Sequence, residues 1–293
     1  MKFAYIRDHR AVFDVGAMCA VFGVTPAGFY AWLKRPDSPR TVRARELAEQ
    51  IRIVHHETKG VYGSIKITKE LRHRHVKANR KTIAKLMQRL GIRSKVGRKF
   101  RVHTTDSNHP NPIAPNTLDQ NFAAAAAPNQ VWGADITYIH TDEGFLYLAG
   151  VMDLYSRKIV GWSMDDTMTS TLVENAFTAA VASRMSSSRT AAFGLLHHSD
   201  RGVQYTSGRY RELLAHHGVQ ASMSRTGNCY DNAVVESFWG KLKAEMVYHE
   251  HFATKAQARA AVFEYIEMFY NRRRLHAALD YLSPEACEAR TVG

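Results

Sequence analysis

Three acids in the second half of the chain stand where a carboxylate is costly unless something positive meets it. Asp135 interrupts the apolar run VWGADITYI, Asp200 closes LLHHSD, and Glu236 lies in DNAVVESFW, with 35 residues between the last two. A charge inside a buried strand needs a partner or a metal. Three carboxylates drawn together repel, and divalent cations relieve that repulsion. Hard oxygen donors with open positions suit Mg²⁺ or Mn²⁺. Two such ions, roughly 3.5–4 Å apart, can activate a nucleophile and stabilise the leaving oxygen of an in-line phosphoryl displacement, with no covalent protein nucleophile. Asp135, Asp200 and Glu236 are therefore the candidate catalytic residues and the candidate ligands of two Mg²⁺ or Mn²⁺ ions.

Several neighbours could serve or merely surround such a site. Lys243 follows Glu236 by seven residues, two helical turns, and so shares its face, as does Asn232. Lys243 is placed to hold a DNA phosphate, or else is a solvated lysine. Strand alternation sends His197 and His198 to opposite faces, so at most one faces the acids and neither is expected to bind metal. Asp153 is expected to order the LYSR turn, and Asp231 to cap the helix that carries Glu236. Arg272, Arg273 and Arg274 in YNRRRLH end the last long helix, as a phosphate clamp or as a plain basic helix end.

The elements around these residues follow from periodicity. VWGADITYIH, FLYLAGVMDLY and SRKIVGWSM read as three strands joined by tight turns. Thr169–Met185 has an amphipathic helical pattern, AAFGLLHHS reads as a strand buried on both faces, 207–217 as a helix and VQASMS as a fifth strand. Helices are expected over 232–248 and 253–270. Three antiparallel strands, then helix, strand, helix, strand and further helices is the element order of the ribonuclease-H-like fold. The expected class is α/β, a five-stranded mixed sheet with helices, preceded by α-helical helix-turn-helix segments.

Upstream, DVGAMCAVFGVTPAGFYAWLKR reads as helix, glycine turn at Gly23, and a second helix opened by Thr25-Pro26. This is a helix-turn-helix pattern or a structural corner of similar shape. After RPDSPR, helices are expected over 41–57, 65–74 and 80–90, with Asn79 as N-cap and Gly91 as a stop. Residues 101–129 lose periodicity. The expected organisation is a helix-turn-helix segment at 1–40, a basic helical domain at 41–104, a linker at 105–128, the catalytic core at 129–250, and a C-terminal helix with a basic tail at 251–293.

The charge is concentrated. From Lys59 to Arg101 there are fifteen Lys/Arg and one acid, Glu70, so 43 residues carry +14 of a total of +13 and the remainder sums to −1. Such a block beside a near-neutral body points to a polyanion-binding module. Lys66, Lys69, Arg72, Arg80, Lys81, Lys85 and Arg89 are its candidate phosphate contacts. The three cysteines, Cys19, Cys229 and Cys287, are scattered, which argues against a disulfide framework or a cysteine-rich zinc site. The apolar runs are too short to span a bilayer, and the first ten residues lack a secretory apolar region, so the cytosol, at the nucleoid, is the expected location and no membrane partner is expected.

WGADITYI, HSDRGVQY, SMSRTGNCYDNAVVESFWGKLKAE and YNRRRLHAALDYLSP resemble the insertion-sequence transposases of the IS-three family, specifically the second-reading-frame product. The likeness runs from about residue 10 to 286 and extends to retroviral integrases through a shared core. It implies the DDE roles for Asp135, Asp200 and Glu236, and maps the family's later Lys/Arg to Lys243. It implies metal-dependent hydrolysis at the ends of an insertion element and attack of the freed 3′-hydroxyl on a DNA strand. Its implied partners are the element's terminal repeats, target DNA, further copies of the chain on DNA, and a first-frame protein with another helix-turn-helix and a leucine zipper, joined by frameshifting. The chain starts at Met1 without that part and is expected to work with it. The zinc-binding amino-terminal domain of retroviral integrases has no expected counterpart. Two other readings are a non-catalytic regulator that binds element ends, which the intact acid triad disfavours, and a purely hydrolytic nuclease, which the basic upstream region disfavours.

Overall fold

The computed structural model describes residues 1–95, 111–122, 125–185, 194–225 and 229–292. The end of the basic block at 96–101, the linker at 105–110 and 123–124, the start of the expected fourth strand at 191–193, and the turn at 226–228 lie outside the described residues.

β-branched and aromatic residues favour a pleated, buried surface, and the run at 131–141 forms the central strand β1 (Val131–Thr141). A two-residue turn, with Gly144 at φ +100°, returns the chain as antiparallel β2 (Gly144–Asp153), and β3 (Ile159–Asp165) pairs antiparallel to β2. Beyond β1, β4 (Leu196–Ser199) and β5 (Gln220–Met223) lie parallel to it, giving the order β3-β2-β1-β4-β5. Parallel neighbours need crossovers. α7 (Ser170–Met185) leads to β4, and α8 (Val203–Thr206) and α9 (Gly208–His216) lead to β5. The result is the mixed five-stranded, ribonuclease-H-like sheet expected from the element order.

Both faces of β1 are buried. Trp132, Ala134 and Ile136 pack with Leu172, Phe177 and Leu214 on the α7 and α9 side. Val131 and Ile139 face Val235, Phe238 and Leu242 of α10 (Ala233–Glu245) and Val262 of α11 (Lys255–Phe263). α7 lies directly on β3 at Gly161, where a Cβ would sit 2.3 Å from the Ala176 carbonyl oxygen and the Ala180 nitrogen. The helix expected over 232–248 ends at Glu245 and continues as a 3₁₀ turn, Val247–His249. The helix expected over 253–270 starts in a Thr254/Gln257 capping box and passes from α11 into a π-helical stretch, Glu264–Tyr270. Asn271 follows it, bonding both the N–H and the C=O of Ile159 on the edge strand. α12 (Pro284–Val292) closes the chain.

The upstream half is helical. α2 (Val15–Phe22) and α3 (Pro26–Lys34) meet at 106°, with Gly23 in the left-handed region and Thr25 capping α3. α1 (Lys2–His9), which the sequence reading did not assign, completes a small core of Ile6, Cys19 and Phe29. α4 (Pro39–Glu57), α5 (Ser64–His73) and α6 (Arg80–Arg89) follow, the last capped by Asn79. The buried Leu47, Ile51, Ile67, Leu71 and Ile83 join the same core cluster as the α10 side of the sheet. In the stretch read as a linker, the described residues 111–122 are fixed to the body: the Ser222 hydroxyl accepts from the N–H groups of Thr117 and Leu118, and Asn111 bonds Thr206. Among the described residues no single helix is long and apolar enough to cross a membrane.

Replacing Gly161 by alanine would force α7 off β3 at a contact between backbones, which no rotamer change relieves. We expect Gly161→Ala to lose about 3 kcal/mol or more, read as a lower urea midpoint with an unchanged denaturant slope.

Candidate active site

β1 and β4 keep a constant parallel offset, with Val131 beside Leu196, Trp132 beside His197 and Gly133 beside His198. Asp200 follows the end of β4, and its charge acts on Asp135. Asp135 shares the face of Gly133, where a Cβ would meet Val235 of α10 at 2.7 Å. The close approach of α10 to this face brings Glu236 near enough for its charge to act on Asp135.

Sequence reasoning missed Trp239. Its indole N–H donates to Asp135 Oδ2 at 3.1 Å, while the Ile136 N–H donates to Oδ1 at 2.8 Å. The ring fits only because Gly150, paired across the sheet with Asp135, has no side chain; a Cβ there would lie 2.9 Å from the indole. A glycine opposite the acid in β2 was the legible signal.

The electrostatics are those of crowded carboxylates. Burial, then the charge of Asp200, then that of Glu236, push Asp135 well above the usual carboxylate range, against the two N–H bonds. Glu236 lies exposed at the edge of the site, yet it too is raised, first by the protein bulk around it and then by Asp200. The Asp200 carboxylate accepts from the Gly202 N–H at 2.9 Å. Tyr205 lies within the same field: burial pushes its phenol up, as do the charges of Asp135 and Asp200, and its hydroxyl has no hydrogen-bond partner among the described residues. An all-oxygen set of neighbouring carboxylates fits a hard divalent cation, whose charge reverses the repulsion. Among the described residues no three His, Cys, Asp or Glu side chains are already grouped to grip an ion.

The flanking residues sort clearly. Burial lowers His197 to about 3 and His198 to about 4; His197 bonds the Tyr210 hydroxyl, and His198 bonds Ser222 and Ser224. Asp153 accepts from the N–H groups of Tyr155, Ser156 and Asn129 and so orders its turn, as expected. Asp231 corrects the reading. α10 has no side-chain cap, and Asp231 instead takes bonds from Arg225, Gln120 and Asn116, with the Arg225 guanidinium holding its carboxyl far below the usual range. Asn232 is buried and donates to the Ala134 carbonyl. Lys243 has its Nζ 4.9 Å from the Tyr138 ring centroid; burial lowers its pKa and the charge of Asp135 opposes that.

Comparison with known proteins gives the family. Residues 125–229 and 236–291 match family models described as integrase core domains, and residues 43–100 match an HTH-like domain. The transposase InsF of insertion sequence IS3A from Escherichia coli (strain K12) is 40% identical over 294 residues, covering 100% of both chains. The chain belongs to the IS-three family of insertion-sequence transposases. An uncharacterised 31 kDa protein of insertion element IS600 from Shigella sonnei is 45% identical over 92% of this chain and 96% of its own. Among solved structures, the HTLV-2 integrase catalytic core in complex with magnesium has a TM-score of 0.41 at 16% identity, covering 56% of this chain and 99% of that one. Integrase cores and helix-turn-helix domains act on DNA, and this class of enzyme cuts and joins it.

Several basic residues expected at DNA are occupied elsewhere. Arg274 is 5% exposed and forms a buried ion pair with Glu245, its Nε at 2.7 Å from Oε2. Lys66 sits over the Tyr62 ring at 5.2 Å; burial, then the charge of Arg274, lower it to about 8. Lys69 lies 4.4 Å over the Tyr281 ring. Lys69 joins the helical unit to the C-terminal segment, and so does the Tyr62 hydroxyl, which donates to the Arg273 carbonyl and accepts from the Leu275 N–H. Arg273 pairs with Glu57, and Arg272 with Glu285 at 3.7 Å, both half exposed. Arg72, Arg80, Lys81, Lys85 and Arg89 are exposed.

Removing one member of a buried pair strands the other charge. Arg274→Ala should cost about 3–5 kcal/mol in urea unfolding, whereas Arg80→Ala and Lys85→Ala should leave the midpoint in place. Each of the latter two should instead weaken DNA binding and reduce its log–log salt slope by about 1, measured by fluorescence anisotropy.

Proposed function

We propose that this chain is a DNA transposase that cleaves the ends of an insertion element by metal-dependent hydrolysis and joins the freed 3′-hydroxyl to a DNA strand by transesterification. The observation that supports the reading is the electrostatic grouping of the three acids: the charges of Asp200 and Glu236 act on Asp135, and that of Asp200 acts on Glu236. Asp135, Asp200 and Glu236 are the residues that would hold Mg²⁺ or Mn²⁺, with room in the donor chemistry for two ions. When bound, such ions supply an activated water or 3′-hydroxyl and stabilise the leaving oxygen.

The chain's own residues do the rest. The Trp239 N–H holds one oxygen of Asp135 and the Ile136 N–H the other, so this ligand has little rotational freedom. Lys243, close enough to Asp135 to feel its charge, is placed to hold a phosphate beside the bond being cut. The exposed Arg72, Arg80, Lys81, Lys85 and Arg89 on α5 and α6 give the helical unit a basic surface for duplex DNA. The division that follows has a helix-turn-helix segment at 1–40, a basic DNA-binding unit at 41–104, a connection at 105–128, the catalytic core at 129–250 and a C-terminal part at 251–293. Assembly on DNA with further copies, and with a first-frame protein, belongs to the same reading.

The test uses labelled element ends with Mg²⁺ or Mn²⁺, with and without the first-frame partner. Asp135→Asn, Asp200→Asn and Glu236→Gln should each reduce cleavage and strand transfer by about a thousandfold or more while end binding persists; products undiminished in Asp200→Asn would refute the assignment. A wild type that binds ends but cuts under no metal would instead be an end-binding regulator. Trp239→Phe keeps an aromatic ring but loses the N–H bond, and should weaken the metal dependence of cleavage by about 10–100-fold, read as a rightward shift of the Mn²⁺ titration with binding of DNA unchanged.

A further inference from the structure

Three residues beyond Asp135 on β1, Tyr138 opens onto a cavity of about 460 Å³ that His140, Phe145, Lys243 and Tyr248 also line. Its wall is aromatic. The Tyr138 and Phe145 rings lie 4.9 Å apart at 63°, and His140 meets the edge of Phe145 at 5.6 Å. Phe145 is 47% exposed and Tyr248 41%, an unusual amount of ring surface to leave in water at one place. Lys243 stands over Tyr138 and is close enough to Asp135 to feel its charge. Also lining the cavity are two carboxylates, Glu250 and Asp142, the latter 3.0 Å from His251 Nε2.

Cation, ring faces and hydrogen-bond acceptors match the parts of one nucleotide. A phosphate suits Lys243, a base suits the rings, and an exocyclic amine suits the carboxylates, which would repel a second phosphate. Three strand residues span about 10 Å, and stacked DNA rises about 3.4 Å per nucleotide. We propose that this cavity receives an unstacked nucleobase of the strand being cut, within about three nucleotides of the scissile bond. It favours bases that carry an exocyclic amine, such as adenine or cytosine, over thymine. Base stacking on aromatic side chains is sequence-tolerant, and the carboxylates add the preference. The inference rests on the proposed cleavage at Asp135, Asp200 and Glu236.

The experiment uses the full chain and a duplex carrying the element's terminal repeat, without divalent metal, so that no strand is cut. 5-Iodocytosine is placed in turn at each of three positions on either side of the bond, irradiated, and the crosslinked peptide sequenced. Crosslinks from one position to Tyr138, Phe145 or Tyr248 are expected; DNA that binds and crosslinks only elsewhere overturns the proposal. In parallel, Phe145→Ala/Tyr248→Ala should lose about tenfold in end binding on the natural duplex, and lose nothing when that position is abasic. Equal losses on both duplexes, or no loss on either, also overturn it. Both rings are exposed, so the fold should tolerate the change, and circular dichroism checks this. Asp200→Asn, run alongside, should crosslink like wild type. A failed cleavage reading would therefore leave the crosslinks in place, and a failed pocket would leave cleavage by wild type intact.

Discussion

Like charges held together against their repulsion are the constraint on which the core depends. Asp135 lies within the sheet, and the neighbouring charges of Asp200 and Glu236 make its ionised form more costly still. The site is therefore strained as an assembly of anions, and rigid neighbours must keep it from collapsing or splaying further. β1 meets that need by being buried on both faces, paired along its length with β2 and at Val131–Gly133 with β4. α10 contributes by packing so closely that Gly133 and Gly150 cannot carry a Cβ without moving Val235 or Trp239. Two glycines in the sheet thus do for the site what large residues do elsewhere: they let a helix close in.

The positive charge of the chain divides along the same logic. One set of cations is structural. Arg274 neutralises Glu245 at the end of α10, and Lys66 and Lys69 lie on aromatic rings where the helical unit meets the C-terminal segment. The other set is exposed on α5 and α6. Because the buried faces of α5 and α6 share one core with α10, the basic surface and the acids belong to one packed body.

The five strands and most helices were legible because each leaves a local trace: alternation, a cap, a glycine stop. Gly23, Thr25 and Asn79 act as read. What was not legible depends on contacts between distant segments. Nothing in YNRRRLH distinguishes Arg274, which is buried against Glu245, from the half-exposed Arg272 and Arg273 beside it. Asp231 sits where a helix cap belongs, yet Arg225, Gln120 and Asn116 take it first. The Trp239 bond to Asp135 required knowing that Gly150 lies opposite.

The Tyr62 hydroxyl bonds the Leu275 N–H across 213 residues of sequence. Chains emerge from the ribosome N-terminus first, at roughly 5–20 residues per second. The helical unit is therefore made some ten seconds or more before the segment that locks it to the core. During that interval the Tyr62 side chain, buried in the finished chain, lacks the Arg273 and Leu275 backbone groups that its hydroxyl bonds. Closure of the helical unit onto the C-terminal segment therefore waits until nearly the whole chain has been made.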